Sequence, residues 1–518
     1  MKARLLTAAA LLGLVLLALA GCGGGSESGS ASPAGVAPPD TPVFVEATLQ
    51  PEGELKANVD AIAKTVGGID NLGEKIISEL ESSAGDEGES LDYKTEVEPW
   101  LGEKGGVFLG SFNGDEFEQV GVAVQTTDTE AAQAFVDKRA EDSKDPVRDA
   151  SYEGVDYKVE SGDESVYGMV GDLLVVSEKE QAFKDAVKAS NGDSLEDEET
   201  FGDTMSNAVD GSLADAYIDV GRLVEQSGDE IDPQFKQALN ASGIEPREAT
   251  AVASVVPEKN RVEIDVSGDL GDQEVPTGDA AELLETLPDD SFAALGVSGF
   301  GEQLQEALDN LDREGLSGTV PPHQLKKGVK ELGIDLEGLV DSLRDAAVYA
   351  SGSNESSLGG ALVLTAEGSK ASEAVERAVT LMRAFKVGGV TVLGGKTSGF
   401  AVHSDELGPK PLVVAAKEGR VAIGYGVPQT LSGLAAPSGH MLADNPVFKE
   451  AVDALEGTPI TGFADGAGAL RLADALVPSS EQGYKEAKPY LRHISFLAIG
   501  SGSDGDRATA KLIVGLSE

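Results

Sequence analysis

The sequence has little of several residue types that specific chemistries require. Its 518 residues include one cysteine, one tryptophan and four histidines. A single cysteine excludes a disulfide framework, a zinc ribbon and a cysteine-ligated iron–sulfur cluster. Lysine and arginine total 40 against 90 aspartate and glutamate residues, which gives a formal charge of −50. Binding to nucleic-acid phosphates requires clustered basic side chains, so this balance argues against nucleic acid as a partner.

Hydrophobic residues are not scarce, since they make up 41% of the chain. That fraction is sufficient to bury cores, which excludes a chain that is disordered throughout. At about 150 residues per domain, the length exceeds that of one ordinary domain. The composition therefore predicts an acidic, folded protein with more than one domain.

The N-terminus carries a secretory signal. Lys2 and Arg4 precede an apolar run from Leu5 to Ala20. The run is shorter than the roughly 20 residues that a membrane-spanning helix needs. Residues 1–21 are therefore interpreted as a signal peptide rather than a membrane span.

The signal peptide ends in a lipobox, formed by Leu19, Ala20, Gly21 and Cys22. The small side chains fit a signal peptidase cleft, and the thiol of Cys22 must be free to form a thioether with diacylglycerol. We predict that Cys22 is lipidated and anchors the chain to the extracytoplasmic face of the cell membrane. Residues 22–39 are rich in Gly, Ser and Pro and are expected to form a solvated tether.

The remaining chain is predicted to be a tandem duplication. The segment Gly121 to Asp137 (GVAVQTTDTEAAQAFVD) aligns with Gly360 to Glu376 (GALVLTAEGSKASEAVE), and a strand–turn–strand is predicted around Gly171 in one copy and around Gly419 in the other. Each copy begins with Pro and Asp before an apolar strand and ends with a β-hairpin. The predicted boundaries are 40–268 for the first copy, 269–287 for a linker and 288–518 for the second copy.

Both copies show the patterns of strands and helices. Alternating apolar residues, as at 121–125, 172–177, 261–266 and 421–426, predict strands, whereas 3.6-residue periodicity predicts helices at 129–142 and 445–457. Successive strands are joined by short Gly or Asn turns. This arrangement predicts an α+β fold in which antiparallel sheets carry helices on one face.

Several short motifs resemble those of a known family. They are the Pro-Pro-Asp-Thr sequence ending at Thr41, the acidic helix start before Phe201, and ADAYIDVGRL from Ala214 to Leu223. The second copy has Asp290 in place of the threonine. The family consists of uncharacterised surface proteins of high-GC Gram-positive bacteria and is known only as a domain of unknown function. The resemblance covers the chain from about Asp40 to its end, implies an exported, anchored protein, and brings no catalytic residues.

Two glycine-rich segments resemble nucleotide-binding loops. Gly389 to Thr397 (GVTVLGGKT) has five residues where a P-loop has four, and a strand pattern follows it. Gly500 to Gly505 fits G-x-G-x-x-G, but a strand again follows where a dinucleotide fold has a helix. Both are predicted to be hairpin turns, and no cofactor is expected.

No metal or catalytic site is predicted. The histidines, at 323, 403, 440 and 493, lack metal-ligand spacing, and the acidic stretches at 85–92 and 195–203 lack a calcium-loop pattern. Trp100 is predicted to be a core residue. The sequence thus favours a non-enzymatic binding or scaffolding lipoprotein whose protein or small-molecule partner is unknown. A solute-binding lipoprotein of a transporter and an extracytoplasmic hydrolase remain alternatives.

Overall fold

The structure is a computed structural model that describes most of the chain beyond the N-terminal region. Cys22 and the other lipobox residues lie outside the described residues, as does the signal peptide. The described residues are 31–69, 92–112, 117, 119–161, 165–227, 249–269, 279–314, 325–331, 333, 335–385, 388–394, 397–477, 481–504 and 507–517.

The chain divides into two compact units. The first unit extends to Gln273 and includes Ser503–Ala510, and the second comprises Glu274–Gly502 and Lys511–Glu518. The division falls inside the predicted linker at 269–287.

The first unit contains strands and helices in an intermixed order. Its strands are Val43–Thr48 (β1), Leu101–Leu109 (β2), Val120–Thr126 (β3), Val147–Tyr152 (β4), Val155–Glu160 (β5), Val166–Val170 (β6), Leu173–Ser177 (β7), Ala214–Asp219 (β8), Thr250–Glu258 (β9) and Arg261–Asp269 (β10). Its helices are Gly53–Gly67 (α1), Tyr93–Glu96 (α2), Thr129–Asp142 (α3), Glu180–Asn191 (α4), Glu199–Met205 (α5) and Val220–Ser227 (α6).

The second unit has a similar succession of elements. Its strands are Ser291–Val297 (β11), Leu343–Ser351 (β12), Gly359–Ala366 (β13), Val390–Val392 (β14), Ser398–Val402 (β15), Leu412–Lys417 (β16), Arg420–Tyr425 (β17), Ile460–Asp465 (β18), Ile494–Asp504 (β19) and Arg507–Leu516 (β20). Its helices are Ala280–Glu285 (α7), Phe300–Glu314 (α8), Leu325–Glu331 (α9), Leu336–Val340 (α10), Lys370–Phe385 (α11), Val427–Leu434 (α12), Pro446–Ala454 (α13), Gly466–Leu476 (α14) and Gln482–Leu491 (α15).

Short polar side chains begin the helices that the periodicity predicts. The Asp128 carboxylate accepts a hydrogen bond from the Ala131 N–H at 3.0 Å, so α3 begins one residue after this cap. Asn445 has the same role before α13, because its Oδ1 accepts from the Val447 N–H at 2.8 Å. The helices at 129–142 and after Asn445 are confirmed, and the cap of α3 is Asp128 rather than Thr129.

The strands pair in the same order in both units. The first sheet runs β10-β9-β8-β1-β2-β3-β7-β6-β5-β4, and each of these pairs is antiparallel. The second runs β19-β18-β11-β12-β13-β17-β16-β15-β14, also antiparallel, and β19 pairs with β20. The mixture of helices with antiparallel sheets confirms the α+β class.

Helices cover both faces of the first sheet, so the prediction of helices on one face is wrong. Ala123 packs in a cluster with Phe183 of α4, whereas its neighbour Val122 packs in another cluster with Val136 of α3. Successive residues of a strand point to opposite faces. Both faces are therefore buried at β3, and a strand buried on both faces loses the clear alternation from which a one-sided arrangement was inferred.

Each unit begins earlier than the sequence predicts. Ala34, Val36 and Ala37 are between 0% and 2% exposed and belong to the first core, so the end of the 22–39 segment is not a solvated tether. In the second unit, Leu284 and Leu287 of the predicted linker are 0% exposed. The reason is the same in both cases, since a few apolar residues in a segment rich in Gly or acidic residues are sufficient to dock it.

The two starting segments make equivalent contacts. The Ala37 carbonyl accepts a hydrogen bond from the Leu195 N–H at 2.9 Å, and the Leu287 carbonyl accepts from the Leu442 N–H at 2.6 Å. Each segment then turns at a proline, so that Thr41 and Ser291 occupy matching positions, and both of these buried hydroxyl groups lack a hydrogen-bond partner. The matching residue of Thr41 is therefore Ser291 and not Asp290.

The strand pairing also corrects the sequence alignment by one residue. The β6–β7 turn consists of Gly171 and Asp172, and the β16–β17 turn consists of Glu418 and Gly419. The strand–turn–strand segments predicted around Gly171 and Gly419 are therefore confirmed, and Gly171 holds the turn position that Glu418 holds in the second unit. A slip of one residue exchanges the two faces of a strand. Accordingly, Gly121 matches Ala361 rather than Gly360.

Candidate functional site: an apolar face on the second unit

Large apolar side chains line up across one face of the second sheet. Directly opposed residues on neighbouring strands point to the same face. A first row of such residues crosses seven strands and consists of Val414, Ile423, Leu362, Val348, Leu295, Gly462 and Ile499.

A second row lies two residues along the same strands and therefore on the same face. It consists of Leu412, Tyr425, Gly360, Ala350, Ala293, Ala464 and Leu497. We call the two rows together the apolar face. No position in either row carries an ionisable group other than the phenol of Tyr425.

Much of the apolar face is open to solvent. The six side chains that are exposed by at least 36% of their area are Leu295 (46%), Val348 (47%), Ile423 (36%), Ile499 (40%), Leu412 (38%) and Leu497 (36%). The largest contiguous apolar patch of a monomeric protein is often an interaction site.

Helix α11 covers only the adjoining part of this sheet face. Ala346, Leu364 and Val421 lie two residues from the first row and form a buried cluster with Ala371 and Val375 of α11. The apolar face begins where that cluster ends. It is thus an extension of a hydrophobic core that stops short of covering the whole sheet face.

The equivalent face of the first unit is not exposed. Ile423 and Val176 each lie four residues after the second residue of a two-residue turn, which fixes the correspondence. From Val176, the row that matches the first row consists of Tyr167, Val176, Val122, Val107, Val45, Ala216 and Ala253. None of these residues is exposed. Val107 and Val122 are 4% and 1% exposed and pack in the cluster that contains Trp100, which confirms Trp100 as a core residue.

A groove of about 390 Å³ runs along part of the apolar face. Its lining comes from β12, β13, β16, β17 and the residue before β13, and includes Val348, Leu358, Leu362, Leu412 and Ile423. Gly360 also lines it and lies in the second row, so the sheet carries no side chain on this face at that position. The lining contains no charged residue.

Lys410 lies beside one end of this groove. Its ammonium Nζ donates to the carbonyl of Leu358 at 2.6 Å, and its backbone N–H donates to the Tyr425 hydroxyl at 3.3 Å. Leu358 and Tyr425 both line the groove. The ammonium group of the half-buried Lys410 is therefore hydrogen-bonded to a residue of the lining, which is otherwise apolar.

A tyrosine below the groove is fixed by the helix on the other side of the sheet. Tyr349 is 3% exposed, and its hydroxyl donates to the Gln429 carbonyl in α12. Burial raises the pKa of Tyr349 above its ordinary value, with a smaller contribution from the charge of Asp290. The phenol stays neutral in the physiological range, and its role is to hold β12 against α12.

The first unit contains a larger cleft, of about 710 Å³, with a polar lining. Two of its acidic groups have partners within the fold: Glu46 pairs with Lys104, and Asp215 accepts hydrogen bonds from Ser212 and Ser254, each at 2.6 Å. Among the residues that the structure describes, no group of three or more His, Cys, Asp or Glu side chains could hold a metal ion.

The two glycine-rich segments lie among paired strands. Residues 390–392 form β14, which pairs directly with β15 at 398–402, so a strand follows the glycines as predicted. Residues 500–504 belong to β19 and not to the predicted turn, and Gly395, Lys396 and Gly505 fall outside the described residues. The 195–203 stretch is only partly a solvated face, because Leu195 and Phe201 are buried in the first core.

The histidines are not brought together. The imidazole Nδ1 of His440 lies 3.1 Å from Asp289 at the surface, and that of His493 lies 3.3 Å from the Ser517 carbonyl. His403 is exposed, and His323 falls outside the described residues, as do residues 85–91. The apolar face was missed by the sequence analysis, although alternation at 421–426 placed one of its strands correctly.

Comparison with known proteins identifies the family of the chain. The model of the family described as "Protein of unknown function (DUF3352)" matches residues 5–514. The chain belongs to this family. The expected membership of a domain of unknown function is thereby confirmed, and no curated protein matches the chain.

Two solved structures show weak similarity. Crystal form III of TP0453 is 12% identical with a TM-score of 0.29, covering 49% of this chain and 86% of that chain. Crystal form I of TP0453 is 11% identical with a TM-score of 0.27, covering 48% and 82%. Neither similarity is strong enough to support an argument about fold or function. Within the described part of the chain, no helix is both long and apolar enough to cross a bilayer.

Proposed function

We propose that the protein is an extracytoplasmic lipoprotein that serves as a non-enzymatic binding module. In this proposal diacylglycerol on Cys22 anchors the chain, and the apolar face of the second unit contacts a ligand. The lipobox Leu19-Ala20-Gly21-Cys22 supports the anchor. High-GC Gram-positive bacteria are the proposed source, on the resemblance of the sequence motifs alone.

The exposed apolar face is the observation that carries the binding role. A protein with a formal charge of −50 has ample charged side chains with which to cover a sheet. Yet the two rows contain none, and the equivalent residues of the first unit are buried or half-buried. Exposed leucine and isoleucine contribute no stability until something covers them, so the face is explained by an interaction.

We further propose that the two units arose by duplication. The identical order of strand pairing and the matching contacts of Ala37 and Leu287 support this proposal. If the units arose by duplication, the exposed apolar face belongs to the second copy, and the equivalent sheet face of the first copy is covered. The binding role would then have arisen, or been kept, in the second copy alone.

The anchor is tested by replacing the cysteine. Cys22→Ala should abolish incorporation of a fatty-acid analogue and release the protein from the membrane fraction. Unchanged labelling in that variant would contradict the anchor. Ser26→Ala, in the same N-terminal region, is the matched control and should label normally.

The binding role is tested with an apolar fluorescent dye such as anilinonaphthalene sulfonate. Ile423→Lys and Val348→Lys should each reduce the dye fluorescence of the folded protein by more than half. Leu476→Lys is the matched control, because Leu476 is 44% exposed but lies on α14. Equal losses in all three variants would mean that the apolar face has no special role.

A further inference from the structure

We propose that the groove on the apolar face takes the alkyl chain of a single anionic amphiphile, whose head group pairs with Lys410. This inference rests on the proposed binding role and specifies its ligand. It commits to a monomeric amphiphile rather than to the surface of a bilayer. The argument has three parts: the groove floor, the charge at its end, and its size.

The groove floor suits hydrocarbon better than an extended peptide. The backbone N–H and C=O groups beneath it are already engaged in the sheet ladders of β12, β13, β16 and β17. An extended peptide laid on this face would find no partners for its own backbone groups, which is costly on burial. An alkyl chain has no such groups, and Gly360, which lies in the second row, leaves room for it.

The charge beside the groove determines the head group. The ammonium of Lys410 is bonded to the carbonyl of Leu358, which lines the groove, and retains donors for a second acceptor. The lining itself contributes no charge. A carboxylate or phosphate at this end would thus be drawn to a cation, whereas an ammonium head group would be repelled.

The dimensions favour a single chain over a larger partner. Four neighbouring strands line the groove, and at 4.8 Å per strand their three spacings extend about 14 Å, close to the length of an extended dodecyl chain. The six exposed side chains offer roughly 240 Å², taking about 100 Å² for each fully exposed apolar side chain. A stable protein interface needs about 800 Å² per partner. Two copies of a chain that carries −50 would also repel each other.

The experiment measures dodecyl amphiphiles by isothermal titration calorimetry. The protein is the mature polypeptide, residues 23–518 without lipid, which retains every described residue and needs no detergent. The probes are dodecanoate, dodecyl maltoside and dodecyltrimethylammonium, each below its critical micelle concentration. We expect dodecanoate to bind about tenfold more tightly than the cationic probe.

Variants separate the head group from the chain. Lys410→Met should weaken the binding of dodecanoate by about 3- to 10-fold, since one ion pair is lost. The affinity for dodecyl maltoside should not change. Ile423→Glu should abolish binding of all three probes. Lys449→Met, on α13, is the matched control and should change nothing.

Each outcome has a distinct meaning. Equal affinities for all three probes, unaffected by Lys410→Met, would overturn the head-group assignment and leave the binding role standing. Binding that survives Ile423→Glu, or no binding at all, would overturn the groove itself, and with it the proposed function at this site. Flotation with phosphatidylglycerol vesicles, lost in Ile423→Glu, would replace the monomeric ligand with a membrane surface.

Discussion

The two units share a strand order, but one sheet face is covered in the first unit and partly exposed to solvent in the second. In the first unit the row through Val45, Val107 and Val122 is buried or half-buried. In the second, the matching positions are Leu295, Val348 and Leu362, and the first two are 46% and 47% exposed. Every large hydrophobic side chain that is exposed in the described part of the chain lies in the second unit.

The more exposed positions of the second unit carry larger apolar side chains than the matching, less exposed positions of the first unit. Where the first unit has Ala253 and Ala251 half-buried, the second has Ile499 and Leu497 exposed. Solvent-facing positions with no partner tend to be polar or small, because bulky apolar groups there gain nothing from folding. The comparison therefore separates what the fold needs, which both units share, from what the second unit alone requires.

The largest expected effect concerns the starting segments. A chain that begins at Thr41 lacks Ala34, Val36 and Ala37, and with Ala37 the carbonyl that binds the Leu195 N–H. We expect the first unit to lose about 3–5 kcal/mol of unfolding free energy from these apolar groups and this hydrogen bond. Urea denaturation measures the loss, and a chain that begins at Ala31 should match the mature protein. A chain beginning at Thr41 with full stability would show that the docked segment is not part of the unit.

The second prediction replaces a valine by aspartate at two matching positions, one in each unit. Val107→Asp buries a carboxylate at a site that is 4% exposed and should cost about 3 kcal/mol or more. Val348→Asp, at a site that is 47% exposed, should cost less than about 1 kcal/mol. Thermal unfolding of the two variants tests this difference directly. Similar losses would mean that Val348 is covered in solution.

The third prediction concerns a feature that the units share. Thr41 and Ser291 are 0% and 1% exposed, and neither hydroxyl has a partner. Thr41→Val and Ser291→Ala should therefore each stabilise the protein by about 1 kcal/mol, because an unsatisfied polar group is removed. Urea midpoints of the single and double variants report this change. A loss of similar size in either variant would imply that the hydroxyl is hydrogen-bonded in solution.

Acid should affect the first unit before the second. A hydrogen bond from Lys184, then one from Tyr157 and the nearby Arg148, lower the pKa of Glu180 from 4.5 to about 2. Because the folded-state pKa is depressed, the stabilisation is present above about pH 4.5 and is lost as the pH falls toward 2. The group is partly solvated, so we expect a contribution of about 1 kcal/mol.

The matched position in the second unit has no carboxylate, because helix α12 begins with Val427 where α4 has Glu180. Glu180→Gln should therefore flatten the pH dependence of stability of the first unit between about pH 2 and 4.5. An unchanged pH profile in Glu180→Gln would show that other carboxylates dominate the acid response.

The smallest expected effect lies in a hairpin turn. Glu418 has a φ of 49°, which is strained for any residue but glycine, whereas its counterpart Gly171 has a φ of 61°. Glu418→Gly should stabilise the second unit by less than about 1 kcal/mol. Gly171→Glu should destabilise the first unit by a similar amount. Differential scanning calorimetry resolves both shifts, and opposite signs would contradict the matching of the two turns.

Sequence patterns predicted the elements better than their faces. Helix α3 could be located because Asp128 caps a clear 3.6-residue period, and the hairpins could be located from their short turns. The docked segments at 31–37 and 280–287 could not, because so few apolar residues in a Gly- or acid-rich stretch leave no periodic signal. The alignment of Gly121 with Gly360 was wrong by one residue, because apolar residues on both sides of a strand leave its register open.

The apolar face could not be read from the sequence for a different reason. Alternation at 421–426 shows that Ile423 and Ala422 lie on opposite sides, but both are apolar. Only the fold shows that α12 covers Ala422 and that α11 ends its coverage before Ile423. Exposure at this face depends on how far a helix extends across the sheet, which is a property of tertiary packing.

Because both units have the same order of strand pairing, strands of one unit could pair with strands of the other while the chain folds. Strands β3 and β13 have equivalent neighbours, so either could pair with the other unit's strands while the chain folds, as happens in tandem-repeat proteins. The different bulk of the rows opposes such exchange. A strand carrying Leu362 would overfill the space that Val122 occupies at 1% exposure, and the reverse exchange would leave a gap. The difference in side-chain size between the units thus also favours the correct partner for each strand.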